Sequence, residues 1–267
     1  MAESEPNPPE VPVTSFRDPA GSVIVLHGRV IRVIAKSFVP QVNAFLSSRA
    51  ARKLVAAGRL VHTSVLDVAE AERLRRETHV KAFLNDREVG IFVEHERVHF
   101  PSFPYEWPPE MLHAAGCLTL ALAEELLAED FGLKDATPYN ILFCGSEPVF
   151  IDILSFEQRE AGDPIWLAYA QFVRTFLLPL LINKHYGRPL DQLLTSRRDG
   201  LTPEEAYCIC GPFRKFLPPF LTLVSIPVWL AARHNRDDHT LYRKNPWSIR
   251  KRRISFFYPC TSDYVAQ

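Results

Sequence analysis

The stretch GLKDATPYNILFCGSEPVFIDILSFE, residues 132–157, decides how this chain is read. Three polar side chains in it, Asp135, Asn140 and Asp152, stand where the surrounding apolar pattern gives them no structural reason to be. Asn140 opens the apolar run Ile141-Leu142-Phe143, which stops at a turn-type cluster, Cys144-Gly145-Ser146-Glu147-Pro148; a second run, Val149-Phe150-Ile151, leads straight into Asp152. That predicts strand, turn, strand. Just upstream, residues 111–131 are apolar at helical spacing and rich in Ala, Leu and Glu, with Pro108 and Pro109 near the start and Gly132 just past the end. The expected order is a long helix, a loop with Asp135, Asn140 at the mouth of a hairpin and Asp152 at its exit.

Phosphoryl transfer from a nucleotide calls for this set of groups. One carboxylate orients or deprotonates the attacking hydroxyl, while an amide oxygen and a second carboxylate hold magnesium against the phosphates. The protein-kinase catalytic loop is written as Asp, four residues, Asn, followed across a hairpin by the metal-binding Asp. Asp135 and Asn140 have that spacing, and Asp152 falls where the metal ligand belongs. An Asp and an Asn at one fixed spacing would arise by chance in roughly half of chains this long. The helix before, the hairpin after and the second Asp are what give the spacing weight.

The segment resembles the protein-kinase-like superfamily in its small-molecule branch, the aminoglycoside and choline phosphotransferases. More closely, FPSFPYEWPPEML, LKDATPYNILF, PVFIDILSFE and AYAQFVRTFLLPL are similar to the kinase-like region in the N-terminal part of bacterial class I SAM-dependent methyltransferases, nodulation-protein relatives included. The likeness runs over about residues 16–189. It implies an α+β, two-lobed fold: a small β-containing N-lobe at 16–100, a hinge at 101–109 and a mainly helical C-lobe at 110–267, with the catalytic loop at 133–157. It also implies ATP and Mg²⁺ as cofactors, Asp135 as base or orienting carboxylate, and Asn140 and Asp152 as metal ligands. Lys134 stands where protein kinases have Arg and small-molecule kinases commonly have Gly; here it is expected to neutralise a phosphate. Arg32, on the second predicted strand where the family shows an aromatic-Arg pair, is the choice for the phosphate-binding cation, with Lys36 and Lys81 as rivals. Two features depart from the pattern. No G-x-G-x-G turn follows a strand, so a chain without the methyltransferase half is expected, and only Gly21 stands in for the glycine-rich phosphate loop.

Composition is that of an ordinary globular protein, 47% hydrophobic and 23% charged over 267 residues. Thirty-one basic residues balance 31 acidic ones, so no whole-molecule field points to nucleic acid. Five cysteines without a pair of C-x-x-C motifs suit a reducing compartment, and the acidic, proline-rich residues 1–15 lack the pattern of a signal or transit peptide. A disordered tail there and a cytoplasmic location are the expectations.

Along the chain, two apolar runs flanking His27-Gly28 predict a hairpin over residues 16–34; residues 38–60 read as one or two helices, 60–66 as a strand, 69–76 as a short charged helix and 90–100 as a strand. Glu94, His95, Glu96 and His99 alternate along that last strand without making a closed metal site. Phe103, Tyr105 and Trp107 read as a packed aromatic cluster or the wall of an adenine site. Glu157 is placed behind the metal ligands. Residues 166–181 predict a buried helix ending near Pro179, in which Arg174 needs a carboxylate partner. Thr202-Pro203-Glu204-Glu205 is a capping box, and 216–232, the most apolar stretch, has prolines and a length that do not suit a membrane span; it reads as a buried segment, with a membrane-skimming one as the alternative. The basic, aromatic residues 233–253 offer a surface to a methyltransferase partner or a membrane. The leading expectation is an ATP/Mg²⁺-dependent phosphotransferase acting on a hydroxyl of a small molecule or peptide. The alternative is a pseudokinase-like binding or scaffold module working with a separate methyltransferase; transfer of a nucleotidyl group is a third reading.

Overall fold

His27 and Gly28 both take positive φ, 49° and 76°, which makes the two-residue turn whose twist matches that of the flanking strands. The turn joins β1 (Gly21–Leu26) to β2 (Arg29–Ala35) with Ile24 opposite Ile31. The structure, a computed structural model, describes residues 20–234 apart from 78–79, 82–83, 85–87, 161–164, 196 and 198. The expected tail at 1–15 and nearly all of the basic region at 233–253 lie outside these residues.

After β2 the chain forms α1 (Val39–Ser47) and α2 (Arg49–Ala56), separated at Ser48, whose hydroxyl accepts from Ala51 N and caps the second helix. Then come β3 (Thr63–Val65), α3 (Val68–Arg76) and β4 (Val89–His95), completing an antiparallel sheet of order β1-β2-β4-β3. The long helix α4 spans Pro109–Leu127. Three short strands follow in the second half: β5 (Phe131–Leu133), and the hairpin β6 (Ile141–Cys144) and β7 (Glu147–Phe150), turning at Gly145-Ser146; β8 (Phe156–Gln158) returns antiparallel to β5. The rest is helical: α5 (Tyr169–Phe172), a π turn at Val173–Leu177, α6 (Leu178–Tyr186), α7 (Leu190–Leu194), α8 (Pro203–Ile209), a second π turn at Leu221–Ser225, and α9 (Ile226–His234). The described chain is thus mixed α and β, with its larger sheet in the first half and most of its helix in the second.

Sheet alternation sorts the core. Ile24, Leu26, Ile31, Val33 and Phe92 point to one face and pack with Leu74 and Val80. The opposite face carries Arg32, Ile34, Val93 and His95, and its apolar members pack with Val42 of α1 and with Ile153 and Leu154, the two residues after Asp152. A larger cluster joins α1 and α2 to the helical half through Phe45, which is fully buried and stacks on Phe156 with ring centroids 4.1 Å apart. Ahead of β3, Phe150 N donates to Arg59 O (3.0 Å) and Val61 N to Phe150 O (2.9 Å), a single parallel bridge between this segment and the hairpin.

Several expectations need correction. The long helix stops at Leu127, because Phe131 and Gly132 are drawn into β5 by pairing with β8, a contact between distant residues that local periodicity does not carry. β4 ends at His95 rather than Phe100. The helix expected to end near Pro179 begins at Tyr169 and continues to Tyr186; the π turn before Pro179, with Leu178 N bonded to Val173 O, lets the helix pass a residue that lacks an N–H. Arg174 is half-buried, its Nε has no hydrogen-bond partner, and among the described residues no carboxylate pairs with it. The stretch 216–232 is buried only in part: Phe220 and Val224 are in the core, whereas Phe216, Leu217, Ile226, Trp229 and Leu230 are exposed. The capping box at Thr202 is present as expected, with Glu205 N donating to Thr202 Oγ1 and Thr202 N to Glu205.

Candidate functional site

The hairpin delivers Asn140 and Asp152 to the same end. Asn140 ends a short 3₁₀ turn (Pro138–Asn140) just before β6, and Asp152 follows β7; Ile151 N donates to Asn140 O at 2.8 Å, tying entry to exit. Asp152 then turns the chain, its carboxylate accepting from Leu154 N at 3.2 Å. That turn brings Ser155 back beneath it. The Ser155 hydroxyl donates to Asp152 Oδ2 (2.6 Å) and accepts from Asn140 Nδ2 (2.9 Å), so one buried hydroxyl bridges the two predicted metal ligands.

The fourth member comes from the sheet. Arg32, 120 residues away in sequence, donates Nη1 to Asp152 Oδ1, with side-chain exposures of 13% for Arg32 and 17% for Asp152. Of the three candidate cations, Arg32 alone reaches the carboxylate, while Lys36 and Lys81 are exposed on the surface. Burial pushes the Asp152 carboxyl up, but the Arg32 charge, the Ser155 hydroxyl and the Leu154 N–H outweigh it and hold the group below the ordinary carboxylate range. Arg32 Nε is buried without a partner, a donor left over for something else.

His95 stands on the same sheet face, one diagonal from Arg32 on the neighbouring strand. Burial pushes its pKa down to about 3, with the Arg32 charge adding and Asp152 opposing. Its Nδ1 hydrogen-bonds with the Thr63 hydroxyl at 2.8 Å, and Thr63 Oγ1 also lies 3.3 Å from Val61 O. Nε2 is buried without a partner. The acidic and imidazole groups around it separate: Glu94 faces the other side of the sheet and forms an ion pair with Arg29 at 2.6 Å.

Asp135 lies on the loop between β5 and the 3₁₀ turn, half-buried. The loop is held from behind: Ala136 N donates to Gln171 Oε1 (2.7 Å), Thr175 Oγ1 donates to Ala136 O (3.1 Å), and Trp166 Nε1 donates to Leu133 O (2.9 Å). Lys134 N donates to Ser155 O at 2.9 Å, joining this loop to the turn after Asp152, while its ammonium lies 5.9 Å from the centre of the Phe38 ring. Glu157, half-buried, sits opposite Gly132 in the β5–β8 pair. In the 101–109 segment, Trp107 is buried edge-on to Phe143, whereas Phe103 and Tyr105 stack on each other at the surface. A surface hollow along α3, lined by Ala69, Glu72, Arg73, Arg76 and Glu77, includes none of the residues around Asp152.

Arg32, Asn140 and Asp152 thus form one connected network, and Lys134 and Asp135 share a loop bonded to it. Ser155 links it, Gln171 and Thr175 brace the loop, and His95 with Thr63 stands beside Arg32 on the sheet without a hydrogen bond to that arginine. Sequence offered a signal only for Ser155, three residues after Asp152, where a side chain returning from a tight Asp-initiated turn can reach the carboxylate.

A 183-residue segment, 68% of this chain, is 34% identical to Nodulation protein NoeA of Rhizobium meliloti (strain 1021). The matched segment makes up 35% of that protein, so the chain spans about a third of the relative's length. No family model matches the chain. Among the described residues no helix is long and apolar enough to cross a membrane.

Proposed function

We propose that this chain is a kinase-like phosphotransferase of two-lobed fold that binds ATP with Mg²⁺ and passes a phosphoryl group to a hydroxyl of a small molecule or peptide. The observation that carries the reading is the hydrogen-bonded chain from Arg32 through Asp152 and Ser155 to Asn140, which joins a cation on the sheet to two oxygen ligands on the hairpin.

The donor set fits a small hard cation. Asp152 Oδ2 and Asn140 Oδ1 are oxygen ligands held on either side of one hydroxyl, and Mg²⁺ is commonly bound by one or two such groups with waters and phosphate oxygens filling its remaining positions. Among the described residues no three His, Cys, Asp or Glu side chains converge. When bound, the cation would neutralise charge on the transferring phosphate. The protein's own parts follow. Arg32 keeps Asp152 ionised and aimed, and its spare Nε–H is a donor for a phosphate oxygen. Ser155 locks the rotamers of both ligands. Asp135, on a loop braced by Gln171 and Thr175, orients the acceptor hydroxyl and takes its proton.

The second reading, a binding or scaffold module serving a separate methyltransferase, is favoured by two observations. Arg32 already occupies an Asp152 oxygen. Gly21 is not in a glycine-rich cradle: a Cβ there would lie 2.6 Å from Val33 O, so this glycine serves strand packing.

The discriminating experiment is thermal unfolding with and without Mg²⁺-ATP, comparing the wild type with Asp152→Asn, alongside transfer assays with ATP labelled at the γ- or the α-phosphate. A ligand-induced rise in the wild type that is absent in the variant supports the nucleotide site, since only a ligand of the folded state stabilises it. Release or transfer of α-label would point to nucleotidyl chemistry. No response in either protein, with co-purification of a methyltransferase, would replace the first reading with the second.

A further inference from the structure

The last described helix leaves much of its apolar surface uncovered. On α9, Ile226, Trp229 and Leu230 are 40%, 39% and 54% exposed, and with exposed Arg233 they recur at the spacing of one helix face. The chain entering this helix extends the patch. Phe216 packs its ring 6.0 Å from that of Trp229, Leu217 is 58% exposed, and Phe213 projects with 84% exposure. Ser225 anchors the arrangement by donating to Lys215 O at 2.7 Å, and Lys215 Nζ lies 4.7 Å from the centre of the Tyr207 ring. The projecting side chains are therefore held by packed backbone.

The charged residues of the segment that forms the patch have one sign, with Glu204, Glu205, Asp237 and Asp238 just outside it. Arg214, Lys215 and Arg233 flank the patch, and from Ala206 to Arg236 the sequence contains no Asp or Glu. A protein partner selected by an apolar surface gains little from such uniform charge, whereas an anionic bilayer gains at every basic residue, by about 1 kcal/mol each near the surface. Aromatic and aliphatic side chains beside Lys and Arg are the composition of elements that lie in the headgroup region. The prolines at 218, 219 and 227 and the shortness of α9 fit an element that rests on a bilayer and does not cross it.

We propose that the surface formed by Phe213, Phe216, Leu217, Ile226, Trp229 and Leu230, with Arg214, Lys215 and Arg233, docks this protein on an anionic lipid surface. This inference is independent of the nucleotide reading, because it uses none of the residues around Asp152.

The test is co-sedimentation of the full chain with vesicles of phosphatidylcholine alone and with phosphatidylglycerol added. Binding is expected only with the anionic lipid and should weaken on raising salt from 0.1 to about 1 M, where screening shortens the Debye length to roughly 3 Å. Trp229→Ser with Leu230→Ser should reduce the bound fraction at least about tenfold, and Arg214→Glu with Lys215→Glu should do the same. Arg214, Trp229 and Leu230 are exposed and Lys215 is half-buried, so unchanged circular dichroism is expected and is measured to show that folding is intact. A third variant, with Arg250, Lys251, Arg252 and Arg253 all changed to Ala, separates the sequence's other basic run. Three results overturn the proposal: no binding of the wild type to anionic vesicles at low salt; binding that survives the Trp229/Leu230 change but is lost with the 250–253 change; or an oligomer in the wild type that the Trp229/Leu230 change converts to monomer, which would make the patch a contact between copies.

Discussion

Replacing Arg32 with Met tests the network where its energetics are sharpest. The substitution keeps the length and much of the apolar volume of the stem but removes the charge opposite Asp152. Both side chains are mostly covered, at 13% and 17% exposure, so the carboxylate left behind is poorly solvated. Removing one partner of a buried pair costs 3–5 kcal/mol, and the residual exposure here places the expected loss at the lower end, about 3 kcal/mol. For a chain of this size that corresponds to a drop in Tm of about 6–12 °C. The pH dependence carries a sign that separates this cause from a packing defect. In the wild type the Asp152 carboxyl is depressed, so its contribution is present above the unfolded-state value near about 3.9 and is lost as pH falls through the lower folded value. Without Arg32 the burial that raises the group loses its main opponent, the folded value moves above the unfolded one, and protonation relieves the variant. Urea unfolding at pH 7 and pH 4 should therefore show the deficit of Arg32→Met narrowing on acidification. Adding Asp152→Asn should recover most of the loss at pH 7, because the uncompensated charge is then gone. A deficit under 1 kcal/mol at pH 7, or a double variant that loses the sum of the two singles, would refute the account.

Three further outcomes follow from other parts of the structure. His95 is held far below its unfolded value near about 6.5, so the wild type loses stability as pH falls from there toward about 3; between pH 7 and 5, His95→Gln should lose about 2 kcal/mol less than the wild type in urea titrations, and equal losses would show that this imidazole is not buried neutral. Phe45→Ala removes a fully buried ring that stacks on Phe156 and meets Phe131 edge-on; chemical denaturation should register a loss of about 3–5 kcal/mol, and under 2 would mean the site collapses around the gap. Gly200 has φ +79°, and a Cβ there would lie 2.3 Å from Arg174 O, the carbonyl that accepts from Leu201 N at 2.8 Å; Gly200→Ala should lower stability by at least about 2 kcal/mol, and a neutral result would show that one of the two backbones can yield.

Elements defined by neighbours in the sequence were legible before any coordinates. The His27-Gly28 turn with its two strands, the hairpin around Gly145-Ser146 and the Thr202 capping box each depend on a few adjacent residues whose chemistry admits one arrangement. What escaped depends on partners far away. Gly132 looks like a helix terminator until β8 arrives to pair with it, and Pro179 looks like a helix stop until a π turn accommodates it. The stretch 216–232 is apolar on all sides, and periodicity does not say which half a neighbour will cover. At the site, the spacing of Asp135, Asn140 and Asp152 picked out one loop and hairpin, and the structure ties Asn140 to Asp152 through a hydroxyl the spacing did not name. The meeting of Arg32 with Asp152 depended on strand register, since alternate residues of β2 face opposite sides of the sheet and only one side meets Asp152; Lys36 and Lys81 lie outside β2.

The bridge between residues 59–61 and Phe150 has a mechanical consequence. Two backbone hydrogen bonds, Phe150 to Arg59 O and Val61 to Phe150 O, fasten the segment entering the sheet to the strand that ends just before Asp152. The Arg32–Asp152 ion pair makes a second fastening between sheet and hairpin, and the packing of Ile34 and Val93 on Ile153 and Leu154 adds apolar contact beside it. Moving the sheet away from the hairpin therefore has to break backbone hydrogen bonds, the ion pair or that apolar packing.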